Sequence, residues 1–406
     1  MSKLQLQTLA GWICGLADSS VWIAYMLSSK VEYYYVISVS IKLLALVILF
    51  GLTNFTKPPK LGRVIVFAIP FVVSSFASVL AGYSDFDGIP QLAGFFLSLF
   101  ITLGLISGAN YLAYMKSISL SLFIGAITYL AFAYYGQIEI VWGRWLYFGE
   151  SQPNLGGEIF YSGVLAATLY HKKPNALLVS FIAVSFVAIV MVEARSALIA
   201  TCAACLIWLD YTILRTLQPA KRFLIIVCLA IATLSVLLFM SGTVWKVIEE
   251  SLFLSNEYRG IGSGFAGRTE RWSFAMDTFI ESPIFGVGFG YFRGSMSEVT
   301  PHSFWLYMMT DLGLLGVLRL AVVAICLKGL WKENRFVFWM ITSSLPLTIF
   351  NDRFVNMNPY PFLIFVLLFL PPGIYKKAYF ANTATASKWR SQVERIDWPP
   401  PIATGR

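Results

Sequence analysis

Arg268 and Arg271 lie three residues apart at the start of GRTERWSFAMDTFIESPIFGVGFGYFRGSMSEVTPHSFWLYMMTDLGLLG, residues 267–316, which also carries His302. A guanidinium keeps its charge and grips two phosphate oxygens at once, so arginines suit an anion. An imidazole titrates near neutrality and can take a proton from a hydroxyl. From Arg268 to Ile280 the apolar residues Trp272, Ala275, Met276, Phe279 and Ile280 recur at helical spacing, which predicts a surface helix with its apolar side on the bilayer or on neighbouring spans. Both arginines then share a face near the helix N-terminus, a good place for an anion, although a solvated basic face is the plainer alternative. His302 could equally cap or anchor the helix that follows it. The other histidine, His171, falls in the basic loop HKKP.

Two further stretches hold groups of the same kind. Arg195 stands in EARSA, the only polar break in the apolar run 176–214. One helix of that length would extend about 58 Å, roughly twice the hydrocarbon core, so the run must turn there. Arg195 then sits at a membrane surface, either as part of a site or as a snorkelling turn residue beside Glu193. Arg144 and Asn154 lie in RWLYFGESQPNLGGE. The plain reading of that segment is an aromatic belt with a Pro-Asn turn. Glu158 begins the next span and is a candidate partner for an outer arginine.

The elements that must position these groups are membrane spans. The 406 residues are 58% hydrophobic and 13% charged, about half the charged content of a soluble domain. Continuous apolar runs of about 18–22 residues indicate an all-α polytopic membrane protein rather than an alternating barrel. About 12 transmembrane helices are expected, near 9–28, 33–53, 64–82, 91–110, 117–136, 155–170, 176–193, 197–214, 222–241, 303–327, 336–350 and 359–375. No cleavable signal is evident. Alternate loops collect most of the basic residues, including Lys57, Lys60, Arg63, Arg215, Lys221 and Arg222, and so does the tail 376–406. That bias puts both termini in the cytoplasm and the interval 242–302 on the other side. It also accounts for the net charge of +9 without a nucleic-acid partner. Arg144, Arg195, Arg268, Arg271 and His302 all fall on the outer side.

Other features carry less. The glycines of PIFGVGFGYF lack the strand and acidic residue of a dinucleotide fold, and predict a tight turn beside other backbone or a ligand. Cys202 and Cys205 form an isolated C-x-x-C with no second pair, read as small residues packing between helices. Asp85 and Asp87 in SDFDG could hold a divalent cation, but two aspartates are a loose signal. Asp311 is an acid within a span, and Arg319 is too far along one helix to make a direct pair convincing.

In order and interval, EARSALIA, GRTERW, PIFGVGFGYF, PHSFWL and DLGLLG resemble the core of the O-antigen ligase and polymerase superfamily, and RWLYFGESQPN resembles its upstream Arg-then-Pro-Asn segment. The resemblance covers about 144–320 and departs at Ser303, where many members have Asn. It implies one integral membrane domain over 1–406, a large periplasmic loop with a helical segment between spans nine and ten, and residence in the bacterial inner membrane. The implied reaction transfers a glycan from an undecaprenyl-diphosphate-linked oligosaccharide to a glycan or lipid A-core acceptor, without a metal or other cofactor. Arg195 and Arg268 would hold the diphosphate and His302 would activate the acceptor hydroxyl, with Arg144, Asn154 and Arg271 lining the same pocket. The alternatives are a transporter or flippase of the lipid-linked glycan, and a metal-dependent transferase using Asp85 and Asp87.

Overall fold

A computed structural model describes residues 3–27, 31–52, 62, 65, 69, 73, 96–101, 110–138, 140–141, 144–145, 153–171, 173–218, 220–221, 224, 268–288, 303–350 and 359–369. Apart from one two-residue ladder and a short 3-10 turn, its regular elements are α-helices. They are α1 (Lys3–Ser19), α2 (Val21–Leu27), α3 (Val31–Leu52), α4 (Tyr111–Tyr134), α5 (Pro153–Tyr170), α6 (Ala176–Met191), α7 (Arg195–Thr212), α8 (Arg268–Glu281), α9 (Phe304–Leu312), α10 (Leu314–Glu333), α11 (Arg335–Thr342), α12 (Leu345–Phe350) and α13 (Pro359–Phe369). Among the described residues α4 and α10 are each long and apolar enough to cross a membrane, as is the bent pair α1–α2 taken together. The expected span count rests partly on residues outside those described.

α5 is the centre of the assembly. It packs against α4, α6, α7 and α13, and Leu155 through Leu169 are all buried. Beyond Glu158 its sequence is largely apolar or small on every side, as suits a helix with no solvent face. Glycines let neighbours approach: a Cβ at Gly157 would lie 2.2 Å from the Cβ of Ala194, and one at Gly163 would lie 2.6 Å from the Phe181 ring. The Tyr161 hydroxyl bonds the Ser343 hydroxyl at 2.8 Å, tying α5 to the break between α11 and α12.

Three expected spans are broken, each for a local reason. α1 and α2 meet at 44°, where the Ser19 hydroxyl donates to the Gly15 carbonyl and the Ser20 hydroxyl to that of Ala17. The span expected at 336–350 divides at Ser343 and Ser344, whose hydroxyls donate back to Met340 and Ile341. The span expected at 303–327 divides at Gly313, whose φ of 59° favours glycine.

Two buried charges within the bundle pair with each other. Lys42 and Asp18 are fully buried, 3.7 Å apart; Tyr114 donates to Asp18 at 2.9 Å, and Lys42 donates to Ser98. The cluster joins α1, α3, α4 and the helical residues 96–101. A buried charge so held stabilises little by itself, but is costly to orphan.

Candidate functional site

The turn that carries Arg195 is built from the backbone. α6 ends in a Schellman pattern: the Ala194 N–H donates to the Ile189 carbonyl and the Glu193 N–H to that of Val190. Glu193 takes the left-handed position at φ 52°, where glycine is usual. Arg195 follows as the first residue of α7 and is partly buried. The break therefore falls at EARSA, as the length of the apolar run requires.

α5 abuts this turn through Gly157, whose added Cβ would also lie 2.9 Å from the Cβ of Ala197. That contact brings the first turns of α5, with Asn154 and the buried Glu158, beside the Arg195 turn. Pro153 is the first residue of the helix rather than part of a free turn, a position where its missing N–H costs no bond. Arg144 lies in the ladder opposite Val141. The side chains of Arg144, Asn154 and Arg268 lie outside the described residues, as do His302, Asp85, Asp87 and most of 242–302.

α8 begins at Arg268, as the spacing predicts, with Arg271 partly buried on its first turn. Ala275 and Thr278 are buried and Trp272 and Phe279 partly so, while Met276 and Ile280 are exposed. α8 packs on α9.

Past α8 the chain is sewn to the junction of α9 and α10. Val287 N–H donates to the Thr310 carbonyl at 2.9 Å, Gly288 N–H to that of Asp311 at 3.0 Å, and Leu314 N–H to that of Pro283 at 2.8 Å. A Cβ at Gly286 would lie 2.3 Å from the Asp311 carbonyl, and one at Gly313 would lie 2.6 Å from the Gly286 nitrogen. At Gly286 the tight turn foreseen from PIFGVGFG thus faces backbone, and its counterpart is the Gly of DLGLLG. Asp311 serves here through its carbonyl. It and Arg319 lie on different helices, and the Arg319 guanidinium donates to the Met308 sulfur at 3.0 Å. The C-terminal ends of α8 and α9 are thereby held together. At the other ends of these two helices stand Arg268, which opens α8, and Ser303, the residue between His302 and the first turn of α9.

Of the C-x-x-C pair, Cys205 packs against the core as expected, with Ala197, Ala200 and Ala204, whereas Cys202 is exposed. Sequence reasoning also missed the Gly157–Ala194 contact and the left-handed Glu193. The Gly-Gly pair in NLGGE was the available sign of the first. Nothing in the sequence marks the second.

Residues 180–321 match the family model described as O-Antigen ligase. No match was found among curated proteins. The matched stretch runs from within α6 to within α10 and includes Arg195, Arg268, Arg271 and His302, while Arg144 and Asn154 precede it. Over that stretch the chain is similar to the O-antigen ligase family, in line with the resemblance read from its motifs.

Proposed function

We propose that the chain transfers a glycan from an undecaprenyl-diphosphate-linked donor to a sugar hydroxyl at the periplasmic face of the inner membrane. The acceptor hydroxyl oxygen attacks the anomeric carbon. The bond from that carbon to the diphosphate breaks, undecaprenyl diphosphate leaves with the electron pair, and the hydroxyl proton passes to His302. Arg195 and Arg268 neutralise the charge that develops on the diphosphate, which is the role a metal would otherwise fill. Arg144, Asn154 and Arg271 complete the anionic pocket. Both termini lie in the cytoplasm.

One observation carries this reading. A single family match spans two arginine-bearing helix starts and the histidine, and within it the glycine-lined turn ties α8 to α9. A helix start is itself electropositive, so Arg195 and Arg268 each add charge where the helix dipole already favours an anion. By contrast, Asp18 and Lys42 engage each other, Tyr114 and Ser98 in a packed interior, which gives a transport path no specific support.

The test reconstitutes purified protein with a lipid-linked oligosaccharide and two acceptors, lipid A core and a second lipid-linked unit. An elongated or transferred glycan is expected, and which one appears separates polymerase from ligase. Arg268→Ala and His302→Ala should abolish it with membrane insertion intact. Full activity in both variants ends the proposed mechanism. Inhibition by a chelator, reversed by a divalent cation, would favour Asp85 and Asp87 instead.

A further inference from the structure

A cavity of about 210 Å³ opens between α4, α5 and the start of α6, with Lys116 and His171 among its lining residues. Three features argue for a ligand of one kind. The first is its layering: Phe123, Leu177 and Phe181 supply an apolar wall, and Lys116 supplies an exposed ammonium. The second is its charge: among the described residues no acidic side chain lines it. The third is the state of His171. The Asn175 side-chain oxygen accepts from the Leu178 N–H at 2.7 Å, so its amide nitrogen is the end that faces His171 Nδ1, at 2.9 Å. Nδ1 is then an acceptor, and the ring proton sits on Nε2 as a donor. Burial and the neighbouring Lys116 both lower the His171 pKa, which keeps that neutral form. The loop is further fixed by the Trp208 indole N–H, which donates to the His171 carbonyl at 2.8 Å.

A cationic and hydrogen-bonding rim over an apolar wall, at the end of a helix hairpin in a membrane protein, matches a phosphate joined to an acyl chain. We propose that this cavity binds one anionic phospholipid of the leaflet it faces, its phosphate at Lys116 and the His171 Nε2–H, its upper acyl chain against Phe123, Leu177 and Phe181. Basic recesses between spans recognise lipid head groups by this combination of charge and apolar contact. Its volume suits a head-group phosphate and the first methylenes but not a whole lipid, so the rest of the chain lies along the hairpin surface. The site involves none of the residues assigned to glycan transfer and requires only that the chain lie in a membrane.

The test uses full-length protein washed free of lipid in detergent, titrated with dioleoylphosphatidylglycerol or dioleoylphosphatidylcholine, with bound lipid counted by native mass spectrometry. One equivalent of phosphatidylglycerol should bind ahead of any further lipid, and phosphatidylcholine should show no such step. Lys116→Ala, at an exposed position that folding tolerates, should weaken the step about five-fold. Leu177→Trp, which crowds the mouth, should remove it. Lys332→Ala, at an exposed lysine outside the cavity, should leave it unchanged. Equal binding of the two lipids, or an unaltered step in Lys116→Ala, overturns the proposal. So does displacement by glycerol phosphate, which would make the ligand a soluble anion.

Discussion

Gly136 and Gly286 offer a matched pair of substitutions that isolates the contact between the α8 turn and α9. Their φ angles are nearly equal, 67° and 69°. A Cβ at Gly136 meets nothing among the described residues within 4 Å, whereas one at Gly286 would lie 2.3 Å from the Asp311 carbonyl. Gly136→Ala therefore adds only left-handed strain, about 1–2 kcal/mol. Gly286→Ala adds the same strain and an overlap that must separate two backbones. Overpacking of that kind costs about 1–3 kcal/mol. Separation also weakens the Val287–Thr310 and Gly288–Asp311 hydrogen bonds, each worth about 1 kcal/mol. With those two bonds half lost, the sum is about 3–6 kcal/mol for Gly286→Ala, about three times the loss at Gly136. Thermal midpoints of both purified variants in the same detergent, each against the parent protein, measure the ratio. Glycan transfer should fall sharply in Gly286→Ala and persist in Gly136→Ala at a temperature where both are folded. Equal destabilisation in the two variants would show that the turn does not touch α9, and the geometry assigned to the glycines would be wrong.

Glu193→Gly should raise stability by about 0.5–1 kcal/mol, the left-handed strain relieved less the entropy glycine adds to the unfolded chain, read as a higher thermal midpoint. A lower midpoint would mean that the carboxylate's own contacts outweigh the strain. Lys42→Met should cost about 3–5 kcal/mol by leaving Asp18 charged and buried, and Asp18→Asn added to it should restore most of that loss; expression and midpoint of the single and double variants decide it. Gly157→Ala should cost about 1–3 kcal/mol and reduce transfer by displacing α5 from the Arg195 turn. Ala194→Gly in the same chain should recover both, and a double variant no better than the single would place the contact elsewhere.

The sequence disclosed those features that follow from length and polarity. An apolar run too long for one span had to turn, and EARSA was the only polar place to do it. The spacing of Trp272, Ala275 and Phe279 marked α8, and its start at Arg268 followed. What stayed hidden depends on which neighbour each segment meets. Serine hydroxyls can bend a helix or merely point outward, so the breaks at Ser19 and Ser343 could not be distinguished from ordinary span residues. A glycine announces permissiveness but not its partner, so Gly286 was read as a turn while its fit against Asp311 and Gly313 was not. The pairing of Asp18 with Lys42 stayed hidden because it depends on α1 and α3 lying side by side. For the candidate site, the residue types and their order were readable from the chain. The packing of α5 on the Arg195 turn was not, because it is a match of two small surfaces far apart in sequence.

The encirclement of α5 bears on how the molecule is made. A helix with no face toward lipid must enter the bilayer before the helices that will cover it have all been synthesised. α13, which packs on α5, emerges from the ribosome only after the whole intervening chain. Until then, one flank of α5 is sheltered by whatever else is at hand, lipid or translocase. Truncation ahead of Pro359 would leave that flank bare permanently, so α13 acts as the closing piece of assembly although none of the residues assigned to transfer lies on it.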